Sequence, residues 1–308
     1  MIVLKPPFSA AKKLSRLAQL TAARMFSGGR PLEVDTRAPD LRFLASPADD
    51  IGRHIVRDGV HEPENSAWIL EHVQLGDGDV ALDIGAKLGW YSCLLDRLGT
   101  GAFDVYCFEP EPLNFAMLSR NIALNRAAHV HQQQLALGDS AGSIDLYLYK
   151  DSNRGRHSVL PVHDGEKIQV PVTRLDSWWQ SQNLGSRRLR IIKIDIEGYE
   201  LPALRGAGEL LNRCETLMLE YSPAYMRKAN LDPVALLHLL EKAGFRVCTL
   251  ANGSLTQIDI AALAASNKQQ DLICVRNGVL FPRVEMRHAP LDWKRSANFP
   301  DAVRAVFE

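Results

Sequence analysis

The chain has 308 residues, 46% hydrophobic and 23% charged, an ordinary globular composition with room for one large α/β domain and additions. Its 36 Lys and Arg balance 36 Asp and Glu, which argues against a dedicated nucleic-acid binder, because such domains carry a basic face. Cys93, Cys107, Cys214, Cys248 and Cys274 sit in apolar runs without a C-x-x-C pair and read as buried thiols of a reducing compartment; with no run near the roughly 18 apolar residues of a membrane span and no apolar leader with a cleavage site, the expected location is the cytoplasm.

Residues 1–30 carry Lys5, Lys12, Lys13, Arg16, Arg24 and Arg30 and no acidic residue. Leu14, Leu17, Ala18, Thr21 and Met25 share one face of a helix. That helix is expected to pack on its own domain or on a second subunit, which leaves self-association open. The alternative is contact with an anionic membrane surface. Residues 31–63 read as an irregular lead-in with short strands near 41–44 and a helix near 50–57. Residues 64–74 then read as a helix, with Trp68, Ile69, His72 and Val73 at helical spacing.

The run from Val80 to Ile84 is apolar and has the look of a buried parallel strand. It breaks at Gly85 and Gly89, and an apolar helical pattern starts at Trp90. Strand, glycine turn and helix open a nucleotide-type βαβ unit. Gly85 allows a sharp turn and lets a ligand lie on the backbone. The third glycine of a pyrophosphate-binding loop is missing, and D-x-G-x-x-x-G remains. Asp83 at the strand end suits a ligand with a cationic amino acid part, such as S-adenosylmethionine. A second strand over residues 103–108 ends in Glu109, 26 residues after Asp83 (109 − 83). A carboxylate there is placed to hold a ribose diol; the plainer alternative is a solvated charge.

A helix is expected over residues 111–125, with Asn114 near its start within reach of a bound nucleotide. A third strand over 130–137 ends in Gly138-Asp139, where Asp139 is placed to accept from an adenine amino group. Residues 143–149 and 168–172 read as strands of a hairpin-like insertion. The polar loop 150–166 between them offers Asn153, Arg154, Arg156, His157 and Ser158 to a polyhydroxylated ligand. A short helix starts at Leu175. A fourth central strand, 189–196, is interrupted by Lys193 and Asp195, and buried charges are costly unless paired or functional. Glu197 follows in the turn to a helix over 201–211. A fifth strand, 216–219, ends in Glu220. A helix over 233–243 and strands over 246–250 and 271–275 complete a doubly wound sheet, with Asp83, Glu109, Asp195, Glu197 and Glu220 all at the edge where such folds bind ligands.

The blocks VALDIGAKLGWYS, VYCFEPEPLNFAMLSRNIALN, LALGDSAGSIDLYL, VTRLDSWW, LRIIKIDIEGYELPALRGAGELL and LMLEYS stand in the order of the FkbM family of S-adenosylmethionine-dependent methyltransferases, which this chain resembles over roughly residues 50–275. The resemblance implies a class I methyltransferase fold, a Rossmann-like, mostly parallel α/β sheet with helices on both faces. It also implies O-methylation of a sugar, glycolipid or polyketide hydroxyl. The family usually has Asn where Lys87 stands, so no role is carried onto Lys87. The catalytic domain is expected over 61–276, between the lead-in 1–60 and an extension 277–308.

The expected cofactor contacts are Asp83, Gly85, Ala86, Gly89, Tyr91, Ser92, Glu109, Pro110, Asn114 and Asp139. Arg156, His157, Ser158 and Glu220 are the expected acceptor contacts. Asp195 or Glu197 is the expected general base, with Lys193 orienting it or holding it ionised. A divalent ion bridging Asp195 and a second carboxylate is ranked behind a metal-free site, because no dedicated metal-ligand spacing is present. Two rival classes use the same sheet: a nicotinamide-dependent oxidoreductase, disfavoured by the missing glycine, and a non-catalytic S-adenosylmethionine-binding protein.

Overall fold

A computed structural model describes residues 30–38, 40–149, 156–161, 165–251 and 253–279, with residues 21, 23, 25, 27 and 28 ahead of them. Most of the expected N-terminal helix, the tail from residue 280, and Asn153 and Arg154 lie outside the described residues.

Strands β1 (Leu32–Asp35) and β2 (Arg42–Ala45) form an antiparallel pair, followed by helices α1 (Asp50–Asp58) and α2 (Pro63–His72). The central unit opens with β3 (Asp79–Ile84), α3 (Trp90–Asp96), β4 (Asp104–Phe108), α4 (Pro112–Asn125) and β5 (Val130–Gln133). Strands β6 (Ala136–Leu137), β7 (Gly142–Tyr147) and β8 (Lys167–Thr173) form a separate sheet in the order β6-β8-β7. The chain returns through α5 (Leu175–Ser181) to β9 (Arg188–Ile194), α6 (Glu200–Arg205), a 3₁₀ helix (Gly208–Arg213) and β10 (Thr216–Tyr221). It ends with α7 (Pro223–Lys228), α8 (Pro233–Lys242), β11 (Phe245–Ala251), β12 (Ser254–Gln257), α9 (Ile260–Ala265) and β13 (Gln270–Arg276).

The main sheet has eight strands in the order β12-β11-β13-β10-β9-β3-β4-β5. From β10 to β5 every pair is parallel, whereas β13 runs antiparallel to both of its neighbours. All six residues of β3 are buried, so it reads as a near-continuous apolar run. Each fully buried Leu or Ile in such a strand contributes roughly 1.5–3 kcal/mol.

Side chains alternate across a strand, and that alternation decides where the charges go. Ala81, Ile191, Met218 and Ile273 enter the core layer that includes residues of α1 to α4, while Val80, Leu82, Ile192 and Leu217 enter the layer on the opposite face. The register pairs Asp83 with Lys193, Lys193 with Met218, and Glu220 with Asp271. Counting by twos carries Asp83, Lys193, Asp195, Glu220 and Asp271 to the first face, at the carboxyl edge of the parallel strands. Asp195 lies one residue past β9, and its N–H still donates to Ile84 O (3.0 Å).

Several expected elements differ in extent. The strand expected over 130–137 is two strands in two sheets. The helix expected over 201–211 stops at Arg205 and gives way to the 3₁₀ helix at Gly208, whose φ of +54° breaks the α-helical course. Strand β12 and helices α7 and α9 are short and were not expected. No helix among the described residues is long and apolar enough to cross a membrane.

Candidate active site

The turn between β3 and α3 is fixed from several sides. Gly85 and Ala86 both donate to Phe108 O (2.9 and 3.0 Å), and the buried Asn121 of α4 donates to Leu88 O (2.9 Å). Gly85 has φ +80°, and a Cβ there would stand 2.1 Å from Asp195 O. Its lack of a side chain lets the turn pass against the end of β9, and Gly85 also lines both clefts described below. Gly89 (φ +90°) serves packing as well: a Cβ would meet Leu118 of α4 at 2.6 Å, and Gly89 lines neither cleft described below.

A cleft of about 510 Å³, open to solvent, is lined by Gly85, Lys87, Glu109, Pro110, Asn114, Leu135, Ala136, Leu137, His157, Asp195 and Tyr199 among others. Glu109 is 4% exposed, so it is not the solvated charge of the plainer alternative. Its two oxygens accept from the N–H groups of Lys87 (2.8 Å) and Glu111 (3.0 Å). Burial pushes its carboxyl up to about 7 against those two hydrogen bonds. Glu111 caps α4 by accepting from Leu113 and Asn114, which sets Asn114 at the cleft wall. Asp139 is exposed and is not among the residues that line this cleft. The chain leaves the main sheet after Gln133, so the wall on this side is Leu135 to Leu137, and the Asp139 carbonyl accepts from Arg174 (2.8 Å).

A second cleft of about 300 Å³ shares Gly85, Lys87 and Asp195 with the first and adds Ile51, His61, Asp83, Ala86, Leu88, Trp90, Tyr91 and Lys193. Asp83 is fully buried; burial pushes it up to about 6, opposed by the Ser92 hydroxyl, which donates to it at 2.5 Å. Ser92 lines neither cleft and acts through that bond. Lys193 stands 3.9 Å from Asp195 and 3.9 Å from Glu62, with no hydrogen-bond partner for its buried Nζ, and 5.1 Å from the centre of the Tyr91 ring. The Lys193–Asp195 pair is therefore loose, and the tight partner of Asp195 is another residue.

That residue is Lys87. Its Nζ donates to Asp195 Oδ2 at 2.8 Å and lies 3.8 Å from Glu197 Oε1. Burial alone would lower this ammonium, but Asp195, Glu197 and Glu220 outweigh it and hold it above its ordinary value. Burial likewise disfavours the Asp195 carboxylate, yet Lys87 and Lys193 keep it below the ordinary range. Glu197 takes a left-handed conformation (φ +56°), and burial, with Asp195 nearby, pushes it up to about 7 despite Lys87. Glu220 is pushed up to about 8 by burial and by Asp195 and Glu197. Asp195, Glu197 and Glu220 each bring a carboxylate oxygen within 4.8 Å of the others, the spacing a hard divalent ion would use.

Glu200 organises this turn from behind. Its Oε1 accepts from Ile196 N (3.0 Å) and Gly198 N (3.2 Å), and burial pushes it up to about 8. Ser158, expected to touch the acceptor, is buried and donates to the Glu197 carbonyl (3.0 Å), so it supports the turn. His157 lines the first cleft and accepts from Tyr149 N (2.8 Å). Arg156 donates to the Tyr225 hydroxyl (2.5 Å) and lies over the Tyr225 ring at 5.6 Å. Glu62, Glu200 and Tyr225 escaped the sequence reading, and Lys87 was noted there without a role. A lysine beside the glycine turn was a signal for Lys87; Glu62 gives none beyond preceding Pro63 at a helix start.

A mostly parallel sheet with helices on both faces, β13 antiparallel beside β10, and clefts at the carboxyl edge is the architecture of a class I methyltransferase. The methyltransferase FkbM domain matches residues 83–247, and the chain belongs to that family. It is 25% identical over 233 residues to the hexuronic acid methyltransferase AglP of Haloferax volcanii, 75% of this chain and 89% of that one. It is 26% identical over 202 residues to the 2-O-methyltransferase NoeI of Sinorhizobium fredii (59% and 81%). To the 31-O-demethyl-FK506 methyltransferase FkbM of Streptomyces tacrolimicus it is 27% identical over 168 residues (45% and 63%), so it spans under two thirds of that relative. The crystal structure of methyltransferase FkbM from Methylobacillus flagellatus is similar with a TM-score of 0.40 and 19% identity, over 66% of this chain and 44% of that one.

Proposed function

We propose that the protein is an S-adenosylmethionine-dependent O-methyltransferase whose acceptor is a hydroxyl of a sugar, glycolipid or polyketide-type molecule. The observation that carries this reading is the junction. Gly85, Lys87 and Asp195 line both clefts, so one extended ligand would run past the carboxylates at the end of β9. The residues present fit the methyl donor. Glu109 suits ribose hydroxyls, Asp83 suits an ammonium, and the buried Nζ of Lys193, without a hydrogen-bond partner, suits a carboxylate. The relatives named 2-O- and 31-O-demethyl methyltransferases support oxygen as the atom methylated.

When bound, S-adenosylmethionine supplies a methyl group on a positively charged sulfur. The protein's own share is placement and one proton transfer. Asp195, kept ionised by Lys87, fixes a negative charge at the junction. Glu197, pushed up to about 7, is the better general base near neutral pH, because proton transfer is most effective when the base's pKa lies near the working pH. Glu220 lies beside Asp195 and Glu197, and Arg156, which donates to Tyr225, acts electrostatically on Glu197; these groups would orient the acceptor.

The test is incubation with a methyl-labelled donor and a panel of sugars, nucleotide sugars, glycolipids and macrolide aglycones, read by mass spectrometry. Label on a hydroxyl supports the reading. Label on nitrogen or sulfur, or none on any member by a protein that binds the donor, counts against it.

A further inference from the structure

Three carboxylates crowded at one strand edge repel unless a cation lies among them. The oxygens of Asp195, Glu197 and Glu220 lie within 4.8 Å of one another, about twice a calcium–oxygen distance of roughly 2.4 Å. Among them stands the ammonium of Lys87, 2.8 Å from Asp195 and 3.8 Å from Glu197. Its backbone is bent to deliver it there. Lys87 takes φ +54°, a conformation few non-glycine residues adopt, and its N–H is tied to Glu109. Asp195 and Glu197 are 7% and 4% exposed, and Asp195 Oδ1 and Glu197 Oε2 are buried without a hydrogen-bond partner. Acceptor capacity therefore remains on two of the three carboxylates. The other buried cation facing Asp195, Lys193, is 3.9 Å away and sits on the Glu62 side.

We propose that Lys87 is the resident cation of this site, a positioning residue whose ammonium fills the place among Asp195, Glu197 and Glu220 that a divalent ion would otherwise take. The inference rests on reading this cluster as the reaction site, but it makes a claim about cation binding that is separable from methyl transfer. Without the ammonium, the same oxygens become a hard-donor site suited to magnesium, calcium or manganese.

The experiment is Mn²⁺ binding to the full chain, followed by calorimetry or by the Mn²⁺ electron paramagnetic resonance signal, without methyl donor. Lys87→Asn removes the charge and suits the left-handed backbone, which Asn tolerates. It should bind Mn²⁺ at least roughly tenfold more tightly than the unaltered protein. Adding Asp195→Asn to that variant should abolish the gain, and Lys87→Arg, which keeps a cation, should show none. If Lys87→Asn melts too low to titrate, Mn²⁺ should raise its melting temperature and leave the unaltered protein's unchanged. Equal Mn²⁺ binding by the unaltered protein, or no gain in Lys87→Asn by either measure, overturns the proposal. A gain in Mn²⁺ binding in Lys87→Asn, with no methyl transfer by the unaltered protein, would instead count against the functional reading alone.

Discussion

Lys87 donates a 2.8 Å hydrogen bond to Asp195, a residue 108 positions further along the chain, and so ties the glycine turn after β3 to the end of β9. In the proposed reading, the bond divides the labour between two neighbouring carboxylates. Asp195 is locked in an ion pair, and Glu197, with its oxygen 3.8 Å from the same ammonium, is left to titrate near neutrality.

Two substitutions separate these roles. Glu197→Gln should lower turnover about 10²–10⁴-fold while donor affinity and melting temperature change little. Asp195→Asn should lower stability by roughly 3–5 kcal/mol, because it takes from the buried Lys87 the one carboxylate hydrogen-bonded to it. Turnover and melting temperature measured on the same preparations check this. A stable Asp195→Asn with lost turnover, beside an active Glu197→Gln, would exchange the two assignments.

Activity should rise with pH through about 7, as Glu197 loses its proton and becomes able to accept another. A pH profile of turnover at saturating donor, compared with that of Glu197→Gln, reads this directly. A flat profile across that range would remove Glu197 from the role.

Stability should move the other way. Glu109, Glu200 and Glu220 are raised to about 7, 8 and 8 in the folded protein, so the folded state holds protons that the unfolded chain releases. The stability they contribute is complete below the ordinary carboxylate value and is lost as pH rises through about 7 to 8. Asp195 and Glu62, both lowered, act oppositely and lose their contribution only in acid. The melting temperature should therefore be higher near about pH 6 than near about pH 9. Glu200→Gln, which keeps an acceptor for Ile196 and Gly198, should flatten that slope; an unchanged slope would mean Glu200 does not titrate there.

Gly85→Ala should be among the most damaging single changes. The added methyl would stand 2.1 Å from Asp195 O at a backbone angle of φ +80°. The left-handed conformation alone costs a non-glycine residue roughly 1–3 kcal/mol, and the clash adds to it by displacing the Lys87 turn. Loss of donor binding with a lowered melting temperature is expected. A Gly85→Ala protein that binds normally would show that the turn can move away from β9.

How much was legible beforehand follows from what each residue signals locally. Asp83, Gly85 and Glu109 stand at strand ends that hydrophobic runs define, so the strand–turn–helix unit and the sheet were readable. Lys193 and Asp195 stood out as charges in an apolar strand. Lys87 was visible but had no readable partner, because its contact lies 108 residues away. Glu62, half-buried, meets Tyr91 and Lys193 only through tertiary packing, and no sequence period marks it. The change of sheet after Gln133, which sets where Asp139 falls, was not readable, because the segment 130–137 reads as one strand and a two-residue strand such as β6 has no periodicity to read.

The most direct measurement is calorimetric binding of S-adenosylhomocysteine to the unaltered protein and to Glu109→Ala. A micromolar dissociation constant, about −8 kcal/mol, is expected for the former. Glu109→Ala should weaken binding by roughly 1.5–3 kcal/mol, because a buried charged acceptor is lost from the cleft and the N–H groups of Lys87 and Glu111 lose their partner. No binding by the unaltered protein, or equal binding by both, would contradict the account.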